Sequence, residues 1–310
     1  MDGALIIDKP AGLTSHDVVA RVRKIVGERR VGHTGTLDPF ATGVLVILVG
    51  RATRLAQFLS DSEKEYEALI RFGYRTDTGD VTGTRVADLT SGTQRPTEIQ
   101  REEIEAAMSS FRGEIEQTPP MYSAKKIGGQ KLYELARRGE VIEREPVRIT
   151  ISAFEANERD GDLLKENDDS TRDLRVRVVC SAGTYIRTLA EDLGKKLGTG
   201  AHLAELRRTR AGKFKIEDAK TLEQLSERVE SGSISKALIS PDATLAHLPV
   251  LDLNADDVRR TISGLNLQFE QTTRPAGQAV RLRDSSGDLI AVGIYDDALK
   301  LVHPKVVLAN

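Results

Sequence analysis

The feature that most constrains this chain is a run of six apolar residues, Val44-Leu-Val-Ile-Leu-Val49, closed on both sides by glycine. Leucine and β-branched side chains without a polar interruption read as a strand buried on both faces. A chain carrying such a strand must supply a layer of structure on each side of it. Directly before the run lies Arg30 to Gly43, rich in glycine (Gly32, Gly35, Gly43) and hydroxyls, with His33 and one carboxylate, Asp38. A polar loop feeding a buried strand holds side chains at the edge of a core, which suits a site. Pro39 biases Asp38 toward extended backbone, yet Asp-Pro is also an ordinary way to begin a turn. Local reading alone favours the turn.

At 310 residues the chain can form one large domain or two unequal ones. A charged share of 30% and a hydrophobic share of 39% are those of a soluble globular protein. No run reaches the length of a membrane span, and the first residues lack the layout of a signal peptide. The single cysteine, Cys180, excludes an internal disulfide framework and fits a reducing, cytoplasmic setting. It ends the run Leu174-Arg-Val-Arg-Val-Val-Cys180, which reads as a strand with a buried thiol. His16, His33, His202, His247 and His303 are scattered, with no pair at metal spacing, so no structural metal is expected. The net charge of −2 conceals asymmetry. Arg207, Arg208, Arg210, Lys213 and Lys215 form one basic cluster, and Lys125, Lys126, Lys131, Arg137 and Arg138 another. Glu155 to Asp173 is acidic and reads as a hairpin tip. Basic runs are usually solvated faces; two beside candidate-site segments favour a polyanionic substrate.

Along the chain, Ala4–Ile7 is a short strand and Ser15 is placed to cap a helix through Val26. Ala52–Leu59 reads as a short helix. Lys64–Phe72 alternates as a strand with Tyr66, Ala68 and Ile70 on one side. Arg75 to Thr93 reads as a hairpin or excursion, and Thr97 as the cap of a helix ending at Met108. Met121–Ile127 is read as extended and Leu132–Arg137 as helical. Strands follow at Val147–Phe154 and Leu174–Val179, then a helix over Thr184–Leu197. Ala201–Ala211 is a short basic element, and Leu222 to Val229 another helix. Ser231-Gly-Ser-Ile-Ser is a candidate hinge. Beyond Leu248 come a helix (Asp256–Ile262) and strands near Ala279–Leu282, Leu289–Ile294 and Leu299–Val307, a small β-rich unit.

No phosphate-binding glycine loop, dinucleotide fingerprint or serine-hydrolase elbow is present. What remains is Asp38 in its loop, an aromatic on a nearby strand, and an arginine in Ser181-Ala-Gly-Thr-Tyr-Ile-Arg187. Taken locally, Tyr66 suits a core position and Arg187 a structural salt bridge.

Gly32-His-Thr-Gly-Thr-Leu-Asp-Pro-Phe-Ala-Thr-Gly-Val-Leu45 resembles the catalytic motif of the TruB family, bacterial synthases that form pseudouridine 55 in tRNA. Further segments match in order: Asp8-Lys-Pro with Gly12 and Ser15, Asp61-Ser-Glu-Lys-Glu-Tyr66, Pro120-Met-Tyr-Ser-Ala-Lys125 with Gly128 and Leu132-Tyr133, Gly183-Thr-Tyr-Ile-Arg187, and Gly200 to Arg208. The resemblance implies an α+β fold of the pseudouridine-synthase type, a mixed, largely antiparallel sheet with flanking helices over residues 1–240. A small PUA-like RNA-binding β-barrel would follow over 248–310. It implies isomerisation of uridine in the TΨC arm of tRNA, without net redox change, cofactor, metal or guide RNA, by a monomer whose C-terminal domain reaches the acceptor stem. Asp38 is then the nucleophile, Arg187 its counter-ion, and Tyr66 the stacking residue and proton acceptor. Tyr185 and Leu206 line the target pocket, His33 attends the opened arm, and Lys9 supports the loop or a phosphate. The uridine must be flipped out to be reached. Two alternatives are a non-catalytic RNA-binding or tRNA-folding protein, and a guide-dependent synthase of a ribonucleoprotein.

Overall fold

The apolar run lies in the strand Thr42–Val49, buried from Gly43 onward. The computed structural model that shows this describes residues 1–86, 99–123, 125–127, 129–140, 142–157, 163–268 and 275–309. Both faces of the strand are covered, by different partners. Leu45, Ile47 and Val49 join Leu5 and Ile7 beneath the helices Ser15–Val26 and Leu222–Glu230. Val44, Val46 and Leu48 join Ala4 and Ile6 against the 3-10 segment Gly50–Phe58 and, from the far end of the chain, Leu245, Val292, Val306 and Leu308. Each such side chain contributes about 1.5–3 kcal/mol when fully buried, so the strand acts as a spine for two layers.

The main sheet runs in the order Gly3–Lys9, Thr42–Val49, Ala201–Ala211, Lys64–Phe72, Arg172–Cys180, Val147–Ala156, Gly113–Gln117. Along this path the pairing of Ala201–Ala211 with Thr42–Val49 is parallel, through Arg207 beside Thr42 and Arg208 beside Gly43. The remaining neighbours are antiparallel. The helices Arg101–Ser109 and Ile186–Lys196 pack on the sheet's other half, with Ile104, Met108, Leu189 and Leu193 in its core. This is the mixed, largely antiparallel α+β fold expected.

Lys64–Phe72 is a strand with the expected bounds, its alternation broken only at Leu69, which is buried along with Ala68 and Ile70. Ala201–Ala211 is not a short basic element but an eleven-residue central strand. Register shifts between Leu203 and Glu205 and between Arg208 and Arg210 break its period of two, and its arginines mask the buried positions. Ser15 does not cap the first helix. Thr14 does, in a capping box with Asp17, and Ser15 bonds Leu37 instead. The helix ending at Ser109 is capped by Gln100, boxed with Glu103; Thr97 lies outside the described residues, as do Thr93, Gly128 and the tip 158–162 of the acidic segment. Around that tip, Leu164–Glu166 pairs with the start of Arg172–Cys180. Met121–Tyr122–Ser123 bend rather than extend.

Beyond residue 248, a five-stranded sheet in the order Val250–Asp252, Ala279–Arg283, Leu289–Asp296, Leu301–Val307, Leu267–Gln268 carries the helix Ala255–Ile262, consistent with a PUA-like domain. The segment after the candidate hinge is not a free linker. Ala4 and Ile239 exchange backbone hydrogen bonds of 2.8 and 2.9 Å. Arg51 donates to the Leu308 carbonyl at 2.6 Å and Arg54 to that of Val307 at 2.5 Å. Low apolar content marked flexibility in the sequence, but edge pairing with the first strand satisfies the backbone there.

Gly43 is held at φ +101°, and a Cβ on it would lie 2.2 Å from the Arg208 carbonyl oxygen. Gly43→Ala therefore meets both a left-handed backbone and a backbone clash. Its expected effect is a loss of well over about 1 kcal/mol of stability, read as a fall in the urea midpoint at unchanged slope. A midpoint equal to that of the parent protein would show that the parallel strand pair can spread to admit a methyl group.

Candidate active site

Asp38 does begin a turn: the Ala41 amide donates to its carbonyl at 3.1 Å. The turn and the site are thus the same object. The loop is tied down from several directions. The Ser15 hydroxyl donates to the Leu37 carbonyl at 3.1 Å and accepts from the Leu37 amide at 2.9 Å. Lys9, fully buried, donates to the carbonyls of Pro10, Leu13 and Pro39 at 2.9, 2.7 and 3.2 Å. Burial brings its ammonium pKa down to about 8, opposed by the charge of Asp38. Its contacts are thus with the backbone of the two adjoining loops, and its side chain is closed off from solvent.

Arg187 meets this loop from the first turn of Ile186–Lys196. Gln117, itself buried, accepts from the Tyr185 amide at 2.8 Å and donates to the Tyr185 carbonyl at 3.1 Å, which fixes where that helix starts. The guanidinium lies 2.9 Å from the Asp38 carboxylate through Nε, and Nη2 reaches its other oxygen at 3.4 Å. Its remaining donors go to the carbonyls of Thr78 at 2.8 Å and Tyr122 at 2.7 Å. A second carboxylate, Asp80, stands 3.7 Å from the same Nε. Asp80 accepts from the Thr78 hydroxyl, the Thr82 amide and the Thr82 hydroxyl. One buried cation therefore serves two carboxylates.

Sequence reasoning missed Asp80. It lies in the stretch read only as a hairpin or excursion, where the short pair Arg75–Thr76 with Arg85–Val86 is the hairpin found. The available signal was composition, Thr-Gly-Asp-Val-Thr, which is also plain turn chemistry.

Asp38 and Arg187 sit at the junction of two cavities. One, of about 260 Å³, is lined by Leu37, Lys64, Tyr66, Tyr185, Leu206 and Arg208 among others. The second, about 610 Å³, opens past His16, Phe40, Asp80 and Tyr122. A small pocket with two aromatic walls, an aliphatic wall and one carboxylate is shaped for a flat ring. Tyr66 and Leu206 reach it from neighbouring strands, Leu206 lying opposite Ala68 in the register. Burial pushes the Tyr66 phenol pKa up, and the charge of the neighbouring Arg208 guanidinium pulls the other way. Lys64, with its ammonium on the Ser60 and Ser62 carbonyls at 2.5 Å, is brought down to about 8 by burial.

His33 is not among the residues lining these cavities. It sits half-buried with its ring edge-on to His16, centroids 5.3 Å apart. Burial and the neighbouring His16 and Arg208 charges hold its pKa at about 4, so it is neutral near pH 7.

In the first basic cluster the arginines are not a free cationic face. Arg207 pairs with Asp8 at 2.7 Å, and Arg210 with Glu63 at 2.7 Å and Glu65 at 3.2 Å. Arg208 is buried and Lys213 bonds the Ala243 carbonyl. Strand pairing brings in carboxylates that the linear pattern does not display. In the second cluster Arg138 pairs with Glu140 at 2.8 Å; the side chains of Lys126, Lys131 and Arg137 lie outside the described residues. Among the described residues no group of three or more His, Cys, Asp or Glu side chains could hold a metal ion, and no helix is long and apolar enough to cross a membrane.

Burial raises the Asp38 carboxyl pKa above its ordinary value; the Arg187 charge opposes this and Asp80 adds to it. A reaction that uses the ionised carboxylate must then slow as pH falls through a value above the ordinary ~3.9 of aspartate. The acidic limb of the single-turnover rate is expected there. A rate that stays flat down to the ordinary carboxylate range would contradict it.

Residues 23–186 match the TruB family pseudouridylate synthase N-terminal domain, and residues 187–245 match the tRNA pseudouridylate synthase B C-terminal domain. A tRNA pseudouridine synthase B of Geobacillus kaustophilus is 45% identical over 274 residues, covering 87% of this chain and 92% of that protein. The tRNA pseudouridine synthase B of Solibacter usitatus is 40% identical over 310 residues, 99% of this chain and 100% of that one. Among solved structures, a chain of an H/ACA ribonucleoprotein bound to a substrate RNA containing 2′-deoxyuridine superposes with a TM-score of 0.73 at 27% identity, covering 99% of this chain and 85% of that chain. With near full-length relatives at this identity, and with its loop carboxylate, buried arginine and aromatic pocket in one place, the chain belongs to the TruB family of pseudouridylate synthases.

Proposed function

We propose that this chain isomerises uridine 55 in the TΨC arm of tRNA to pseudouridine, with Asp38 as the nucleophile acting on a flipped base. The observation that carries the reading is the Asp38–Arg187 ion pair, 2.9 Å long, at the mouth of a pocket walled by Tyr66, Tyr185 and Leu206. Family membership and relatives named for tRNA supply the substrate class.

In this reading the uracil enters the pocket stacked on Tyr66, which returns about 1–3 kcal/mol toward the cost of unstacking. The N1–C1′ bond breaks, the base turns, and C5 bonds to C1′. The proton lost from C5 passes to a base in the pocket, a role assigned to Tyr66, and N1 gains one. Atoms and electrons balance within the substrate, so no oxidant or reductant is needed. Asp38 attacks an electron-poor centre as a carboxylate does in glycoside chemistry, and Arg187 keeps it ionised despite burial. Lys9 and Ser15 position the loop. The C-terminal domain is assigned a contact to the acceptor stem, the chain works as a monomer without guide RNA, and His33 meets the opened arm.

The test is pseudouridine mapping on an unmodified tRNA transcript treated with the pure chain. One new pseudouridine, at position 55, is expected; none, or a requirement for added guide RNA, would refute the reading.

Affinity for tRNA should fall as salt rises. Because Arg210 is held by Glu63 and Glu65, Arg210→Gln is expected to leave the salt slope unchanged. A slope shallower by about one would show that Arg210 leaves its partners for a phosphate.

A further inference from the structure

Arg208 belongs to a stretch that reads as RNA-facing, yet it is 2% exposed. It stands opposite Tyr66 on one side and beside Gly43 on the other. It is thus the point where the tyrosine strand and the end of the Asp38 loop come together through one residue. Its side chain repeats that junction. Nε donates to the Val44 carbonyl at 2.7 Å, Nη2 to Gly35 at 3.1 Å and Nη1 to Thr36 at 3.5 Å. The charge of the same guanidinium acts on the Tyr66 phenol, the residue opposite Arg208 in the strand pair.

Ser15 and Lys9 hold the loop at Leu37 and Pro39, the two residues that flank Asp38. The preceding pair, Gly35 and Thr36, rests on Arg208. Among the described residues no carboxylate pairs with this guanidinium; its partners are the neutral carbonyls of Gly35, Thr36 and Val44. A buried cation compensated only by dipoles is costly, and a neutral side chain would fill the space at lower cost. What the guanidinium supplies is a rigid fork that spans several acceptors at once, which an ammonium cannot do.

We propose that Arg208 is a positioning residue for the reaction, its planar fork setting the Asp38 loop at a fixed distance from Tyr66. The proposal rests on the reading that Asp38 and Tyr66 carry the chemistry. It requires the fork and not merely the charge, because a point charge restores neither the Gly35–Thr36 contact nor its angle to Val44.

Three variants separate the possibilities: Arg208→Lys, Arg208→Met and Asp38→Asn. Each is assayed for the single-turnover rate of tritium release from C5 of uridine in tRNA and, separately, for tRNA affinity. Arg208→Lys is expected to lose on the order of 10²-fold in rate, the effect of a displacement of about 1 Å, with affinity unchanged. Arg208→Met is expected to fall at least as far; if it does not fold, Arg208→Lys carries the test. A full rate in Arg208→Lys, or rate and affinity falling together, overturns the proposal while leaving Asp38 in place. A full rate in Asp38→Asn removes the reading beneath it, and the proposal with it.

Discussion

Replacing Asp38 with Asn is expected to lower pseudouridine formation by at least about 10⁴-fold, the scale on which loss of a nucleophile leaves only binding and electrostatics. The substitution conserves shape, and Arg187 keeps Asp80, Thr78 and Tyr122 as partners, so the fold should survive. The stability effect has a definite sign. Burial raises the folded-state pKa of Asp38, so its ionised form is disfavoured in the folded protein. That penalty is absent below the unfolded-state pKa and complete above the folded one. At neutral pH, Asp38→Asn should therefore melt at or above the parent temperature, and the difference should vanish as pH drops below the ordinary carboxylate range. Activity lost while stability is kept or gained is the signature of a site that trades stability for function. Undiminished tritium release would sink the nucleophile assignment; a clear drop in melting temperature at neutral pH would show that the carboxylate's pairing outweighs its burial.

Arg187→Ala carries the second large effect, and it should act on both activity and stability. The side chain is 6% exposed and pairs with two carboxylates. Its removal leaves Asp38 facing Asp80 without a cation and the carbonyls of Thr78 and Tyr122 without their donor. Truncating one member of a buried ion pair costs about 3–5 kcal/mol. Like charges left together raise each other's pKa, so part of the Asp38 population becomes protonated and unreactive near neutral pH. A rate loss of at least 10²–10³-fold is expected, comparable to deleting a preorganised electrostatic donor, with a much smaller change in tRNA affinity. Arg187→Lys should recover part of the stability, since it restores a charge, but little of the rate, since one ammonium cannot hold Asp38 and the two carbonyls together. Rate and affinity falling equally would instead assign Arg187 to phosphate binding.

How much of this was legible beforehand differs from element to element for physical reasons. Lys64–Phe72 was read with its correct bounds because the irregularities of its pairing lie in the partner strand, and its own nine residues pair without a break against Arg172–Cys180. Ala201–Ala211 was not, because two bulges shift which residues face the core. Asp38, Tyr66 and Arg187 could be picked out through motif resemblance, whereas Asp80 and Arg208 could not be assigned their places. Asp80 lies in a stretch without periodicity, and Arg208 is one arginine among several. Even the charge pattern misled. Arg207 and Arg210 advertise a basic face in the linear chain, while Asp8, Glu63 and Glu65 occupy them in the fold.

By itself the sequence determined the buried spine Val44–Val49, the glycine-rich loop before it, the family whose motifs run through it, and the carboxylate on which the chemistry is proposed to turn. Those follow from short-range order, where side-chain period, glycine spacing and turn chemistry act within about ten residues of one another. Only the tertiary structure decided what surrounds that carboxylate: a cation shared with Asp80, a loop held by Lys9, Ser15 and Arg208, and an aromatic pocket built from separate elements. The parallel pairing of Ala201–Ala211 with Thr42–Val49 brings these together. Contacts between residues more than a hundred positions apart leave no periodic trace in a single chain, so their geometry appears only once the sheet has closed around them.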